Sequence, residues 1–279
     1  MTETRILTTL LGHRIRVFNR DHVGDKIARQ GLYEKENLLL LLALLKQIPD
    51  PVVLDIGANI GNHSLAFATV ASQVHAFEPL PHIFQLLQDN INTNQLTNVT
   101  AHQVALSDQG GEDTLYMVLK GNFGASSFDK RTEGVEPVQV SKVTGDQYLE
   151  GLTLPKLDLI KIDVEAHEVF VLRGLRHTLE THLPFITMEW NDPLTIERLQ
   201  GSEELKFLQD HYQILVLGSN YDRGYWLGKP LAFLRRKLTR FLQPRKAVLY
   251  PFHADRLYKN LLLIPHGKAP LVRQLGLQW

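Results

Sequence analysis

Asp55, Gly57, Asn59, Gly61 and Ser64 fall within one short stretch, VVLDIGANIGNHS (52–64), and Glu78 follows Gly57 by twenty-one positions. A glycine loop between a buried strand and a helix lets the backbone approach a ligand at that helix's N-terminus. The Gly-x-x-x-Gly spacing differs from the Gly-x-Gly-x-x-Gly of a dinucleotide loop, and Asp55 would repel a pyrophosphate. An acid there suits a cationic ligand. Glu78 closes VHAFE (74–78), where a carboxylate can accept hydrogen bonds from both hydroxyls of a ribose. A ribose, no pyrophosphate and positive charge together describe S-adenosylmethionine.

A second set of candidates lies downstream. Asp163 ends LDLIKID (157–163), Glu165 and His167 follow it, and Glu189, Asn191 and Asp192 stand at the end of FITMEW (185–190). Methyl transfer from a sulfonium is an in-line displacement that depends on alignment of the acceptor. A hydroxyl acceptor must also lose its proton, to a general base or by coordination to a metal. Asp163, Glu165 and Glu189 are the candidate catalytic residues. Asp163, Asn191 and Asp192 also have the chemistry of a Mg²⁺ site, so a metal stays open as a second cofactor. His167 reads as a helix-surface residue and His63 as a loop contact.

Alternating strands and helices must position these groups. VVLDI (52–56), VHAFE, VTAHQVAL (99–106), LDLIKID and FITMEW read as strands, and 62–71, 81–94 and 166–181 as helices. Such alternation indicates βαβ units and a parallel sheet covered on both faces. DTLYMVL (113–119) and VEPVQVSKV (135–143) look like an extra strand pair or a long loop inside one crossover, and HYQILVLG (211–218) and KNLLLIP (259–265) like two further strands. The first 50 residues read as a small hairpin and one helix over 33–48. Its run LLLLLALL (38–45) is far shorter than the roughly 20 residues that span a bilayer, so it belongs to the core.

LDIGANIGNHSL, AFEP, VALSDQGG, NFGASSF and DLIKIDVEAHEVFVLRGL occur here in one order. In that combination, over about residues 33–191, the sequence resembles FkbM-type methyltransferases. The resemblance implies a class I, Rossmann-like methyltransferase: a seven-stranded, mostly parallel sheet with helices on both faces, S-adenosylmethionine as cofactor, and usually a hydroxyl as acceptor. Asp55, Gly57, Ala58, Asn59, Gly61 and Ser64 would then line the methionine end, with Asp55 near the amino group. Glu78 and Pro79 would meet the ribose, and Ala105 and Leu106 the adenine. Ala166 departs from the pattern, since the family usually has glycine after Asp-Val-Glu.

Charge and composition narrow the function. The 279 residues carry no cysteine, which excludes disulfides and thiolate metal sites. Net charge is zero, yet residues 1–218 hold 18 Lys+Arg against 28 Asp+Glu, and residues 219–279 hold 12 against 2. The basic excess centres on KPLAFLRRKLTRFLQPRK (229–246), where Leu231, Leu234 and Leu238 fall at helical spacing. That pattern is expected to be an amphipathic helix, either packed on the domain or meeting an anionic lipid or glycan. DVEAHE replaces the Asn/Asp-Pro-Pro-aromatic motif of base-methylating enzymes, so nucleic acid is not the expected substrate. No export signal is visible at the N-terminus, so the expected location is the cytoplasm, with 229–246 as a peripheral contact to the inner membrane face.

The expected organisation is therefore a cap (1–48), a cofactor-binding core (49–218), a basic helical insertion (219–259), and a last strand with its tail (260–279). The expected activity is O-methylation of a sugar, glycan or other small hydroxylated metabolite. N-methylation of a small amine and non-catalytic cofactor binding are the alternatives.

Overall fold

A computed structural model describes residues 3–118, 123–130, 133, 135–152, 154–219 and 246–276. The expected helix 229–246 lies outside these residues but for its last one.

The chain opens with an antiparallel hairpin, β1 (Thr4–Thr8) and β2 (Arg14–Phe18). Two helices follow where the sequence suggested one. Asp21 caps α1 (His22–Gln30) by accepting from the Gly24 amide, and the left-handed Gly31 ends it. α2 (Lys35–Leu45) then buries Leu38, Leu40, Leu41, Leu42, Leu44 and Leu45, so the leucine run is core.

Next come β3 (Val52–Ile56), α3 (Asn62–Phe67), β4 (Gln73–Phe77), α4 (Pro81–Thr93) and β5 (Val99–His102). The stretch read as a single strand over 99–106 divides here. β6 (Ala105–Ser107) leaves the main sheet to pair with β8 (Val135–Thr144), which pairs antiparallel with β7 (Gly111–Val118). This small sheet realises the extra strand pair inside the crossover. The chain continues through α5 (Gly145–Glu150), β9 (Leu159–Ile162), α6 (Glu168–Gly174), α7 (Arg176–His182), β10 (Phe185–Trp190), α8 (Pro193–Leu199), α9 (Glu203–His211), β11 (Tyr212–Ser219), β12 (Ala247–Pro251) and β13 (Tyr258–Pro265).

The main sheet runs β12-β11-β13-β10-β9-β3-β4-β5, with β3, β4, β5, β9 and β10 mutually parallel and β13 antiparallel between β10 and β11. Among the described residues this sheet has eight strands, where seven were expected. The additional one, β12, lies inside the supposed helical insertion, where Ala247-Val-Leu-Tyr-Pro extends the sheet edge by pairing with β11. Leu249 turns into the core, an alternation that the basic charge of the segment obscured. The last strand starts at Tyr258, so the boundary expected at 260 falls inside it.

Each central strand serves two apolar layers, because successive side chains face opposite ways. Val52, Leu54 and Ile56 pack under α6 and α7, whereas Val53 faces the cap. The same alternation puts Asp55, Lys161 and Thr187 on the cap face, and the register pairs Asp55 with Lys161 and Lys161 with Thr187.

Asn90 on α4 and Asn94 at its C-terminal cap, one turn apart, join the hairpin to this core. Asn94 and Asn90 exchange paired hydrogen bonds with the backbones of Arg14 and Arg16, as a neighbouring strand would. Asn90, 1 % exposed, also donates to the Ile60 carbonyl and so ties the cap to the glycine loop.

Candidate active site

Beyond the carboxyl ends of β3, β4 and β9 opens a cleft of about 650 Å³. Its polar lining includes Asn59, Glu78, Asp163, Glu165 and His167, and its apolar lining includes Leu80, Ile83, Val104, Leu106 and Phe128. Gly57 is left-handed (φ +75°), and a Cβ on it would stand 1.9 Å from the Asp163 carbonyl oxygen. Only glycine lets the loop after β3 lie against the end of β9.

Glu78 is a buried acid in the cleft's wall. Its Oε2 accepts from the Asn59 amide and its Oε1 from the Leu80 amide, both at 3.0 Å. Each carboxylate oxygen has a further lone pair, so the group can still receive two hydroxyls. Burial pushes its pKa up to about 7, against the opposing pull of those amides and of Lys161.

Gly57, Asn59, Glu78, Pro79, Ala105, Leu106, Asp163 and Glu165 all line the cleft. Asp55, Ala58, Gly61, Ser64 and Glu189 are not among its lining residues. Asp55 is fully buried below the loop: its Oδ2 accepts from Ser64 Oγ at 2.6 Å, and its Oδ1 lies 3.1 Å from Lys161 Nζ. That placement differs from the expected contact with a ligand's amino group, because Asp55 falls on the strand face that turns beneath the loop. Gly61 shapes the loop, where a Cβ would meet Leu87 Cδ1 at 2.7 Å.

Lys161 is the group the sequence reading passed over. Its Nζ lies 3.1 Å from Asp55 Oδ1, 3.2 Å from the Gly57 carbonyl and 3.4 Å from Asp163 Oδ2. Three acceptors meet three ammonium protons in a side chain 6 % exposed. Burial alone would drive its pKa down, but Asp55 and Asp163 more than reverse this and hold it above the usual lysine range. A lone Lys within the apolar LIKI was the available signal.

Asp163, Glu165 and Glu189 bring their carboxylate oxygens within 4.8 Å of one another. Burial, then the charges of Asp163, Glu34 and Glu165, raise Glu189 well above the usual carboxylate range. Asn191 Nδ2 donates to Glu189 Oε2 at 3.0 Å. Asp192 instead caps α8 by accepting from the Leu194 amide, so its Oδ1 serves the helix and not the acid cluster.

The turn that aims Glu165 is unusual, since Glu165 and Ala166 are both left-handed (φ +52° and +72°). It is held by Ser127 Oγ on the Glu165 carbonyl, Arg198 on the Ala166 carbonyl and Glu168 on the Ala166 amide. The missing glycine is thus replaced by an alanine held in a glycine-like conformation. His167 is not on the surface. It is 6 % exposed, with Nε2 2.9 Å from Ser107 Oγ, and burial pulls its pKa down to about 4. His63 is also buried, 3.6 Å from Glu34, outside the cleft.

The strand order, with one antiparallel strand inserted beside β10, a glycine loop after β3 and an acid after β4, is that of a class I methyltransferase. The family model described as the methyltransferase FkbM domain matches residues 55–225, and the chain belongs to that family. Among its relatives is the hexuronic acid methyltransferase AglP of Haloferax volcanii, 30% identical over 178 residues that cover 62% of this chain and 70% of that protein. The 2-O-methyltransferase NoeI of Sinorhizobium fredii is 28% identical over 203 residues, 66% of this chain and 79% of its own. A crystal structure of an FkbM methyltransferase from Methylobacillus flagellatus aligns at 18% identity with a TM-score of 0.44, over 77% of this chain and 43% of that one.

Proposed function

We propose that this methyltransferase uses S-adenosylmethionine to methylate a hydroxyl of a sugar or sugar-like metabolite. The observation that carries the reading is the pairing, in one cleft, of a buried Glu78 with Asp163 and Glu165, whose carboxylates cluster with that of Glu189 at the adjoining strand end. The two relatives named above, one a hexuronic acid methyltransferase and the other a 2-O-methyltransferase, support the choice of a sugar hydroxyl.

Bound S-adenosylmethionine supplies an electrophilic methyl on a sulfonium. Glu78 would accept the ribose hydroxyls, and Leu80, Ile83, Val104 and Leu106 would give an apolar seat for the adenine. Asn59 and Gly57 would border the methionine end, while Lys161 fixes the loop to Asp163. The acid cluster faces the acceptor. Glu189, whose carboxylate clusters with those of Asp163 and Glu165, is positioned to take the hydroxyl proton as a general base. Asp163 and Glu165 orient the hydroxyl. A second reading comes from the same spacing: Asp163, Glu165 and Glu189 could share a divalent cation, which would acidify the hydroxyl.

The test is incubation with trideuteromethyl S-adenosylmethionine and a panel of simple glycosides and amines, read by mass spectrometry and proton NMR. A labelled methoxy group on a glycoside is the expected product. Label only on amines would replace the reading by N-methylation, and no transfer despite tight S-adenosylhomocysteine binding would replace it by cofactor binding alone. Activity unchanged by a chelator would remove the metal variant.

A further inference from the structure

Two backbone irregularities converge on one contact beside the acid cluster. In the antiparallel pairing of β10 and β13, Glu189 faces Asn260 and Trp190 faces Tyr258, which leaves Lys259 as the extra residue of a bulge. Neighbours in a regular strand point to opposite faces. Here Asn260 Nδ2 and Lys259 Nζ both reach Glu34 Oε1, each at 2.7 Å. Glu34 is itself a left-handed, non-glycine residue (φ +51°) at the start of α2, and its side chain is only 6 % exposed. The preceding Tyr33 is bolted to the glycine-loop helix by two hydrogen bonds with Asn62, and its ring lies 4.9 Å below Lys259 Nζ. Strained backbone of this kind persists where the surroundings enforce it, and such sites cluster where function needs them.

The contact delivers a cation. Glu34 and the Tyr33 ring hold two sides of the ammonium, while the Lys259 side chain remains 55 % exposed. Lys161, the cation on β9 at the other side of β10, is buried and occupied by three acceptors. An acidic acceptor approaching Asp163, Glu165 and Glu189 would be repelled by them and would find Lys259 available. Glu34 and Lys259 also lie outside the segment 55–225 that the family shares, as expected of groups that set acceptor choice and not cofactor chemistry.

We infer that Lys259 is a specificity-determining residue that selects acceptors carrying an anionic group near the methylated hydroxyl, with Glu34 holding it in place. This rests on the sugar reading above. The chemistry suits a sugar carboxylate or a sugar phosphate.

The experiment measures kcat/KM for methyl β-glucuronide, methyl β-glucoside and glucose 6-phosphate with the full chain, Lys259→Gln and Lys259→Arg. A charge-assisted contact predicts a preference of about tenfold or more for one acidic sugar over the neutral one. Lys259→Gln should collapse that ratio towards unity through KM, and Lys259→Arg should keep most of it. Whichever acidic sugar is preferred identifies carboxylate or phosphate as the source. A merely structural Lys259 would lower all three sugars alike and leave the ratio intact, which overturns the inference. Equal use of neutral and acidic sugars by the wild type overturns it as well, with the sugar reading standing. No methylation of any of the three, with S-adenosylhomocysteine still bound, overturns both.

Discussion

Shifting the pH from about 6 to about 8 should tighten binding of S-adenosylhomocysteine by roughly tenfold, through Glu78. The carboxylate must be ionised to accept both ribose hydroxyls well, and burial places its pKa at about 7. About a tenth of the molecules then carry the charge at pH 6 and about nine-tenths at pH 8, which sets the magnitude. The sign follows from an acid whose folded pKa is raised: the ionised form grows as pH rises through 7, and affinity rises with it. For the free protein the same shift acts in reverse. Stability is highest below the unfolded pKa near 4.5 and falls by about 3 kcal/mol as pH climbs to the folded value. Titration calorimetry in buffers of different ionisation enthalpy should detect close to one proton released per ligand near pH 6 and almost none near pH 8. Glu78→Gln should bind more weakly and lose the pH dependence. A wild-type affinity that is flat over this range, or an equal slope in folded Glu78→Gln, would refute the reasoning.

Lys161→Met should destabilise the fold by about 3–5 kcal/mol, because Asp55 is left buried without its cation; a urea-denaturation loss under about 1 kcal/mol would contradict the bridge. Glu168 is buried, with its pKa pushed up to about 7 by desolvation, so its charge is a burden above neutrality. Glu168→Gln can still accept from the Ala166 amide and donate to Thr195, and should raise stability by roughly 1–3 kcal/mol near pH 8 but little near pH 5. Equal melting shifts at both pH values would count against that. Glu189→Gln and Asp163→Asn should lower kcat by about 10²–10⁴-fold while S-adenosylhomocysteine affinity stays within about twofold. Parallel losses of both quantities would mean that these acids shape the cofactor pocket instead.

Local signals carried the parts of this protein that one short segment can encode. The glycine loop, Glu78 and Asp163 were legible because each is a break in an apolar strand pattern at a fixed offset, and the structure puts Gly57, Glu78 and Asp163 around one cleft. Asp55 lies on the face beneath the loop, a consequence of register with Lys161 that requires knowing which strands are neighbours. The division of residues 99–106 between two sheets has the same origin, since β6 leaves only because β8 offers it a partner. Lys259 was hidden more deeply. Its aim depends on a bulge opposite Glu189 and on a left-handed Glu34 more than two hundred residues earlier in the chain, neither of which a window of sequence contains.

A crystal structure of the protein with S-adenosylhomocysteine tests the central claim most directly. Both ribose hydroxyls should lie on the Glu78 carboxylate, the adenine between Leu80, Ile83 and Leu106, and the sulfur turned towards Asp163 and Glu189. A nucleoside bound elsewhere, or a sulfur turned away from the acid cluster, would contradict it.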